Sequence, residues 1–254
     1  MEKKEIRDEL IIGRNPVTEA LRAGNREIDI VYIAKGVETG SVGRIIAMCR
    51  KKGIIVKEAD GKKLDYMCGG AAHQGVIAKV AAHEYASLED LFKAAEKKGE
   101  KPFFIICDGI EDPHNLGAII RTAECSGAHG VIIPKRRSAS LNYTVNKSSA
   151  GALEYMPVAR VTNLSDTIEE LKERGVWIYG TDMEGEDWCG TDLKGSMALV
   201  VGSEGTGMSR LVREKCDFIL SLPMKGSIQS LNASVAAGIV MYEVSRQRSG
   251  IKAV

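Results

Sequence analysis

The stretch from Phe218 to Arg248, FILSLPMKGSIQSLNASVAAGIVMYEVSRQR, joins two different hydrophobic patterns. Its beginning is a short apolar run typical of a buried β-strand, and its end, from about Ser230, has the apolar spacing of an α-helix. Gly226 and several small polar residues lie between the two patterns. The stretch predicts a strand, a loop and a helix, and the loop is either a plain connection or a cradle for a small ligand.

The same alternation of strands and helices extends over the chain from about Phe103. Apolar runs rich in β-branched residues alternate there with helix-like stretches, and these runs are FFIICDGI, GVIIP, YMPVARV, VWIYGTD, ALVVGSEG and FILSLPM. Such a pattern predicts an α/β fold with a parallel sheet covered on both faces. Ligands bind these sheets beyond the carboxyl ends of the strands, where we expect the polar loops DGIEDPHNLG, GSEGTG and PMKGSIQSLN.

A smaller α/β unit precedes this sheet, over about residues 11–80. Asn15 is expected to cap its first helix, which should end at Gly24. A charged stretch follows and contains a helix with a capping signal formed by Ser87 and Asp90. We therefore expect a domain over residues 1–82 that folds alone, a connector over 83–101, and a second domain over 102–254.

The amino-acid composition limits the classes of protein to which the chain could belong. Of the 254 residues 44% are apolar, enough for a sizeable core, and no apolar run approaches the about 20 residues of a membrane-spanning helix. The charged N-terminus, MEKKEIRDEL, does not resemble a secretory signal. Six scattered cysteines and four histidines without metal-ligand spacing predict reduced thiols, a cytoplasmic location and no metal site. Because the net charge is only +1, an RNA-binding face would need a local cluster such as PKRRS, which is otherwise a solvated loop.

Two of the polar loops contain residue types that occur in catalytic sites. GSEGTG, at Gly202–Gly207, has neither the spacing of a dinucleotide fingerprint nor a G-K-[ST] phosphate loop, which disfavours a Rossmann-type oxidoreductase. It is either a flexible turn or a place where Glu204 has a partner. Asn115 is either a plain helix cap or a site residue. Arg121, about two turns further along, is either a surface ion-pair partner or a residue that faces the same strand ends.

Three motifs follow one another at the ends of the predicted strands: NLGAIIR at Asn115–Arg121, GSEGTG at Gly202–Gly207, and PMKGSIQSLNAS at Pro223–Ser234. Together they resemble the SpoU branch of the SPOUT methyltransferases, over about Phe103–Arg248. The stretches DPHNLGA, IIPKRRS and SAGALEYMPVARVTNL are similar to members that methylate the 2′-oxygen of a guanosine in 23S ribosomal RNA. The N-terminal unit, with GRNPVTEAL and HQGVIAKV, resembles the family's substrate-binding domain, which is akin to ribosomal protein L30e.

This resemblance implies a C-terminal SPOUT domain with a trefoil knot, a small L30e-like α/β domain that binds RNA, and S-adenosylmethionine as cofactor. It also implies an RNA substrate, 23S ribosomal RNA first, and a homodimer whose active site is completed at the subunit interface, without metal or membrane. The loops are expected to hold the cofactor mostly through backbone groups, at Gly202, Leu222, Leu231, Thr181 and Ser230. The expected catalytic residues are Arg121, Asn115, Glu204 and Asn232.

Arg121 matches the residue with which the family activates the ribose 2′-hydroxyl. Because a guanidinium stays protonated in proteins, we interpret Arg121 as a clamp on the neighbouring phosphate and a stabiliser of the developing alkoxide. Glu204 and Asn232 are expected to orient Arg121 or the ribose, and Asn115 to fix its loop.

Other interpretations stay open. The chain could be a tRNA 2′-O-methyltransferase of the same family, or an RNA-binding relative without catalysis. The last helix offers apolar side chains either to the core or to a second subunit, namely Val235, Ile239, Val240 and Tyr242.

Overall fold

A computed structural model describes residues 9–37 and 40–251, which form two compact units. Unit 1 contains the residues up to 84 together with 141–155, and unit 2 contains residues 85–140 and those from 156 onward. The strands within the described residues are β1 (Leu10–Ile12), β2 (Ile28–Ala34), β3 (Ile55–Ala59), β4 (Val76–Val80), β5 (Phe103–Asp108), β6 (Gly130–Pro134), β7 (Val158–Val161), β8 (Trp177–Asp187), β9 (Met197–Gly202) and β10 (Phe218–Ser221). The helices in the same residues are α1 (Arg14–Ala23), α2 (Ser41–Lys51), α3 (Gly61–Met67), α4 (Leu88–Lys98), α5 (Pro113–Ser126), α6 (Tyr143–Ser148), α7 (Leu164–Glu173), α8 (Arg210–Lys215) and α9 (Ala233–Arg248), with a 3-10 turn at Ala152–Glu154.

Unit 1 contains a mixed four-stranded sheet in the order β1-β4-β2-β3. β2 and β3 are parallel, and the other neighbouring strands are antiparallel. One face of the sheet packs against α1 and α2, with Leu21 and Ile45 fully buried between them. The opposite face packs against Leu64 of α3 and Tyr143 of α6. The expected small α/β unit is therefore present, with β1 and α3 as elements that the sequence did not predict.

The start of α1 differs from the prediction. The helix begins at Arg14 with Gly13 as its N-cap, so Asn15 lies inside the first turn and does not cap it. Gly13 has φ +102, a conformation that a residue with a side chain rarely adopts. The predicted end of the helix is confirmed, since Gly24 adopts the left-handed conformation and donates its N–H to Ala20 O.

The segment Leu141–Tyr155, named the clasp below, belongs to unit 1 although it lies between β6 and β7 in the chain. Arg26 Nη1 contacts Glu154 Oε1 at 3.0 Å, and their side chains are only 7% and 1% exposed. Asn25 Nδ2 also donates to Glu154 O at 2.8 Å. The predicted boundary after residue 82 therefore omits a part of unit 1 that supplies a buried charge.

Unit 2 contains a six-stranded sheet in the order β10-β8-β9-β5-β6-β7. All neighbouring strands in it are parallel, which confirms the predicted sheet. One face packs against α4, α7 and α8 through Leu91, Ile168 and Val212. On the other face α5 and α9 pack against each other, and a Cβ added at Gly238 would lie 3.6 Å from Thr122 Cγ2.

The sequence places α4 in a connector over residues 83–101, but this helix packs onto the large sheet. The predicted capping box is confirmed, with Ser87 and Asp90 each accepting a backbone N–H of the other. Leu91 is fully buried, and a Cβ at Gly130 would lie 2.1 Å from Leu91 Cγ. The absence of a side chain at Gly130 thus makes room for α4, and most of the expected connector belongs to unit 2.

Within residues 9–37 and 40–251, no helix is both long and apolar enough to cross a membrane. The same residues contain no group of three or more histidine, cysteine, aspartate or glutamate side chains that could hold a metal ion. All six cysteines lie within them and are free thiols.

Candidate active site

A cavity of about 750 Å³ lies at the carboxyl ends of β9 and β10, beside the middle of β8. Its walls are residues 181–183 of β8, the loops that follow β9 and β10, and the first turns of α9, in the region where parallel sheets bind ligands. The volume falls in the range of about 300–1,000 Å³ that is usual for small-molecule sites. The five residues predicted to contact the cofactor all line it, namely Gly202, Leu222, Leu231, Thr181 and Ser230. Their contact with a bound cofactor stays a prediction.

The loop Gly202–Gly207 is a closed turn and not a flexible connection. Ser203 N donates to Gly207 O at 3.0 Å, and Gly207 N donates to Ser203 O at 2.9 Å. A Cβ at Gly202 would lie 2.3 Å from Met208 N, so only glycine allows the turn to fold back onto the end of β9. Gly226, in contrast, lines the cavity with nothing within 4 Å of its Cβ position. Close packing therefore requires glycine at position 202, whereas the space around Gly226 does not.

Asn115, Glu204 and Asn232 form one hydrogen-bonded cluster, although they come from three separate parts of the chain: the first turn of α5, the loop after β9 and the N-cap of α9. Asn115 Nδ2 donates to Glu204 Oε1 at 3.1 Å. Asn232 Nδ2 donates to Asn115 Oδ1 at 2.9 Å and also to Glu204 Oε1. The Asn115 amide is available because Asp112 caps α5 instead, by accepting from His114 N at 2.8 Å. The interpretation of Asn115 as a plain helix cap is therefore wrong.

Glu204 accepts the hydrogen bonds from Asn115 and Asn232 on one carboxylate oxygen. A third donor, Ala233 N at the start of α9, lies 3.3 Å from Glu204 Oε1. Asn232 caps the same helix, since its Oδ1 accepts from Ser234 N at 3.0 Å. The positive end of the α9 dipole thus faces the carboxylate. Through Glu204 the loops after β5, β9 and β10 are joined beside the cavity, which Glu204 also lines.

Arg121 lies on α5 about two turns after Asn115, and its side chain is exposed. In the part of the chain that the structure describes, it makes no hydrogen bond, ion pair or ring contact. Glu204 and Asn232 contact Asn115 instead, so neither orients Arg121 within one chain. Arg121 is therefore available to a group from outside the chain.

Asp182 is a residue of the cavity wall that the sequence analysis did not identify. Its Oδ2 accepts from Arg213 Nε at 2.7 Å, and its Oδ1 accepts from Met183 N at 2.6 Å. Partial burial opposes ionisation, but the hydrogen bonds from Arg213 and Met183 outweigh it and lower the pKa of the Asp182 carboxyl. A signal was present in the sequence, since Asp182 follows Thr181 at the end of the apolar run VWIYGTD.

The cavity suits the cofactor that the sequence predicts. Its described lining includes two carboxylates, Asp182 and Glu204, and no lysine, arginine or histidine. Arg213 already balances the charge of Asp182, so Glu204 is the carboxylate that remains for a cationic sulfonium. The lining offers no positive partner to the pyrophosphate of a dinucleotide. Apolar side chains such as Val201, Leu220 and Leu231 provide surface for a purine ring.

Comparison with known proteins identifies the family of both units. Residues 102–242 match the SpoU rRNA Methylase family, and residues 10–86 match the RNA 2'-O ribose methyltransferase substrate binding family. The YacO protein of Bacillus subtilis strain 168, assigned to the TrmH family of tRNA/rRNA methyltransferases, is 54% identical over 95% of this chain and 96% of its own. A protein of the same description from Staphylococcus aureus strain MSSA476 is 46% identical over 96% of this chain and 98% of its own.

Solved structures agree with this result. The SpoU methyltransferase AviRb from Streptomyces viridochromogenes, solved in complex with the cofactor AdoMet, has a TM-score of 0.79 and 26% identity, covering 96% of this chain and 91% of its own. The A. aeolicus TrmH/SpoU tRNA modifying enzyme has a TM-score of 0.54 and 30% identity, covering 64% of this chain and 84% of its own. The chain therefore belongs to the SpoU/TrmH family and is an S-adenosylmethionine-dependent RNA methyltransferase.

Proposed function

We propose that this protein methylates the ribose 2′-oxygen of a guanosine in 23S ribosomal RNA. The observation that carries the proposal is the cavity with two carboxylates and no described basic residue in its lining, bordered by the Asn115–Glu204–Asn232 cluster. Two findings support ribosomal RNA as the substrate. The family that matches residues 102–242 is described as an rRNA methylase family. The tRNA-modifying enzyme from A. aeolicus, in contrast, aligns with only 64% of this chain.

In this proposal the residues of the chain position the reactants. The Asn115–Glu204–Asn232 cluster fixes the loops at the cavity, and Arg121 grips the phosphate beside the target ribose. S-adenosylmethionine, when bound, supplies an electrophilic methyl group on a positively charged sulfur. In the transfer the ribose 2′-oxygen would bond to the methyl carbon as the C–S bond breaks, S-adenosylhomocysteine would leave, and the hydroxyl proton would pass to solvent water. The guanidinium of Arg121 stabilises the negative charge that develops on the oxygen.

The first test is ligand binding followed by mapping of the modification. S-adenosylhomocysteine is expected to bind without added metal, and NAD is expected not to bind, both by calorimetry. Cells that lack the gene should lose one 2′-O-methylguanosine in 23S ribosomal RNA, detected by mapping of 2′-O-methyl sites in rRNA and tRNA. Loss of a tRNA site instead would establish the tRNA alternative, and no lost site with RNA binding intact would favour a non-catalytic relative.

We also propose that the protein is a homodimer joined through the face formed by α5 and α9. Val235 and Tyr242 are 50% and 54% exposed, and the half-buried Ile239 lies between them at helical spacing. Val240, which was also offered for this surface, is fully buried in unit 2. Because α9 packs against α5, the exposed apolar stripe lies beside the helix of Arg121, and a partner subunit on it would complete the RNA site.

Tyr242→Arg is expected to separate the dimer, because it places a charge within the apolar stripe. Light scattering at micromolar concentration should then give a monomer that binds S-adenosylhomocysteine but transfers little methyl. Leu211→Arg is the matched control, since Leu211 is 56% exposed on α8, outside the stripe. A fully active Tyr242→Arg monomer would contradict the proposed interface.

The trefoil knot and the cytoplasmic location belong to the same proposal. The order β10-β8-β9-β5 brings the C-terminal strand and α9 next to strands from the middle of unit 2, as a threaded C-terminal segment requires. The six free thiols fit a reducing compartment, where ribosomal RNA is also found.

A further inference from the structure

The arginines of unit 2 separate into two groups by their contacts. Six of the nine contact a carboxylate, a backbone carbonyl or an aromatic ring, and they are Arg160, Arg174, Arg210, Arg213, Arg246 and Arg248. Arg121, Arg136 and Arg137 have no such contact with any described residue. Because most guanidinium groups here have a partner within the chain, the three exceptions mark where a partner from outside is expected.

Arg136 and Arg137 lie with Lys135 in the loop that follows β6, and these three residues are named the basic loop below. All three side chains are exposed. The ends of the loop are anchored, since Lys135 N donates to Val161 O at 2.8 Å and Ala139 N donates to Ile110 O at 2.9 Å. Arg137 adopts the left-handed conformation, with φ +54. The basic loop is therefore a fixed turn that displays its charges, and not a loose connection.

The location of the basic loop relates it to the active site. β5 and β6 are parallel neighbours, so the loops that follow them emerge at the same edge of the sheet. Ile110, which anchors the basic loop, lies in the connection that leads from β5 to Asp112 and the first turn of α5, where Asn115 is found. The three arginines without partners thus belong to two neighbouring connections of one sheet.

We propose that the basic loop binds phosphates of the RNA strand that flanks the target nucleotide. This inference rests on the proposed function. Exposed guanidinium groups held in a fixed turn suit the bidentate geometry of phosphate oxygens, and such contacts position a substrate without reading its bases. Arg121 grips the phosphate at the reacting ribose, and the basic loop holds the strand beyond it. The substrate is RNA and not an acidic protein, because the neighbouring cavity and cluster serve methyl transfer.

The test compares the salt dependence of RNA binding between two double variants. Arg136→Ala/Arg137→Ala should reduce the slope of log K against log salt by about 1.4, or about 0.7 for each lost phosphate contact. That change corresponds to binding about 25-fold weaker at 0.1 M salt than wild type, if affinities are equal at 1 M. The probe is an unmodified transcript of 23S ribosomal RNA. Lys97→Ala/Lys98→Ala removes two exposed charges at the end of α4, which leads into the opposite edge of the sheet, and should not change the slope.

The outcomes separate this inference from the proposed function. Equal slopes for wild type and the Arg136→Ala/Arg137→Ala variant would overturn the inference, as would an equal loss in the lysine control. A reduced slope with unchanged affinity for S-adenosylhomocysteine and unchanged melting temperature would support it. If the wild-type protein binds the transcript without methylating it, the proposed function is contradicted. The salt-dependence slopes of the wild type and the variants would still show whether the basic loop binds RNA phosphates. Weaker binding to an acidic protein with the RNA slope unchanged would assign the loop to a protein partner and overturn the inference.

Discussion

Arg121→Ala is expected to lower the rate of methyl transfer by about a hundredfold to a thousandfold, which corresponds to about 3–4 kcal/mol of transition-state stabilisation. The rate falls because the guanidinium that grips the phosphate and stabilises the developing negative charge on the 2′-oxygen is removed. The affinity for S-adenosylhomocysteine should stay nearly unchanged, because Arg121 does not line the cavity. Single-turnover methylation of an rRNA transcript measures the rate, and calorimetry measures the affinity.

Arg121→Lys separates a phosphate clamp from a simple positive charge. A lysine ammonium cannot reproduce the bidentate fork of a guanidinium, so this variant should recover little of the lost rate. If Arg121 only braces α5, lysine should work nearly as well and alanine should mainly lower the melting temperature. A lysine variant that keeps more than about half of the wild-type rate would contradict the proposal that Arg121 clamps a phosphate. The melting temperature of each variant shows whether Arg121 instead stabilises α5.

The large sheet could be predicted from sequence because its evidence is local. Each of its central strands is a continuous apolar run, and a strand buried on both faces requires such a run. The cap of α9 at Asn232 and the capping box of α4 are local as well, since their hydrogen bonds join residues two or three positions apart. β1 was missed because it has only three residues and pairs with β4, about 65 positions further along the chain.

The sequence predicted that three polar segments meet at one edge of the sheet, but not which of their side chains contact one another. The motif order placed Asn115, Glu204 and Asn232 together, and the structure brings them within hydrogen-bond distance. Their pairing could not be read from sequence, because Asp112 and Asn115 are both good caps and only one of them caps α5. Because Asp112 caps the helix, the Asn115 amide is able to donate to Glu204, which the sequence predicted to orient either Arg121 or the ribose. Asp182 was missed because its only sequence signal is its position at the end of an apolar run, and the structure continues β8 beyond it.

The clasp was not predicted as part of unit 1, because its contacts also join residues that are far apart in the chain. Arg26 and Glu154 are 128 residues apart in the chain, and each lies in a stretch that a solvated loop would explain equally well. The apolar runs on either side of the clasp belong to the large sheet, so periodicity assigns it to that sheet as well. Only the three-dimensional contacts show that it completes unit 1.

Either Arg26→Met or Glu154→Gln is expected to lower the free energy of unfolding of unit 1 by about 3–5 kcal/mol. Each change leaves one charge buried without its counter-ion, and Glu154 Oε2 already has no hydrogen-bond partner among the described atoms. The loss should appear as faster hydrogen exchange of the β2 and β4 amides, which report on unit 1. Unit 2 contains both tryptophans, so tryptophan fluorescence and binding of S-adenosylhomocysteine should change little.

The double variant Arg26→Met/Glu154→Leu shows whether the effect comes from the unpaired charge. Replacing both partners by apolar side chains removes the buried charge altogether, so most of the lost stability should return. Arg22→Ala is the control, because the Arg22–Glu19 pair is exposed and is expected to contribute less than about 1 kcal/mol. If both single variants exchange their unit 1 amides as slowly as wild type, the clasp does not stabilise unit 1. Residues 1–82 would then be expected to fold without it, as the sequence predicts.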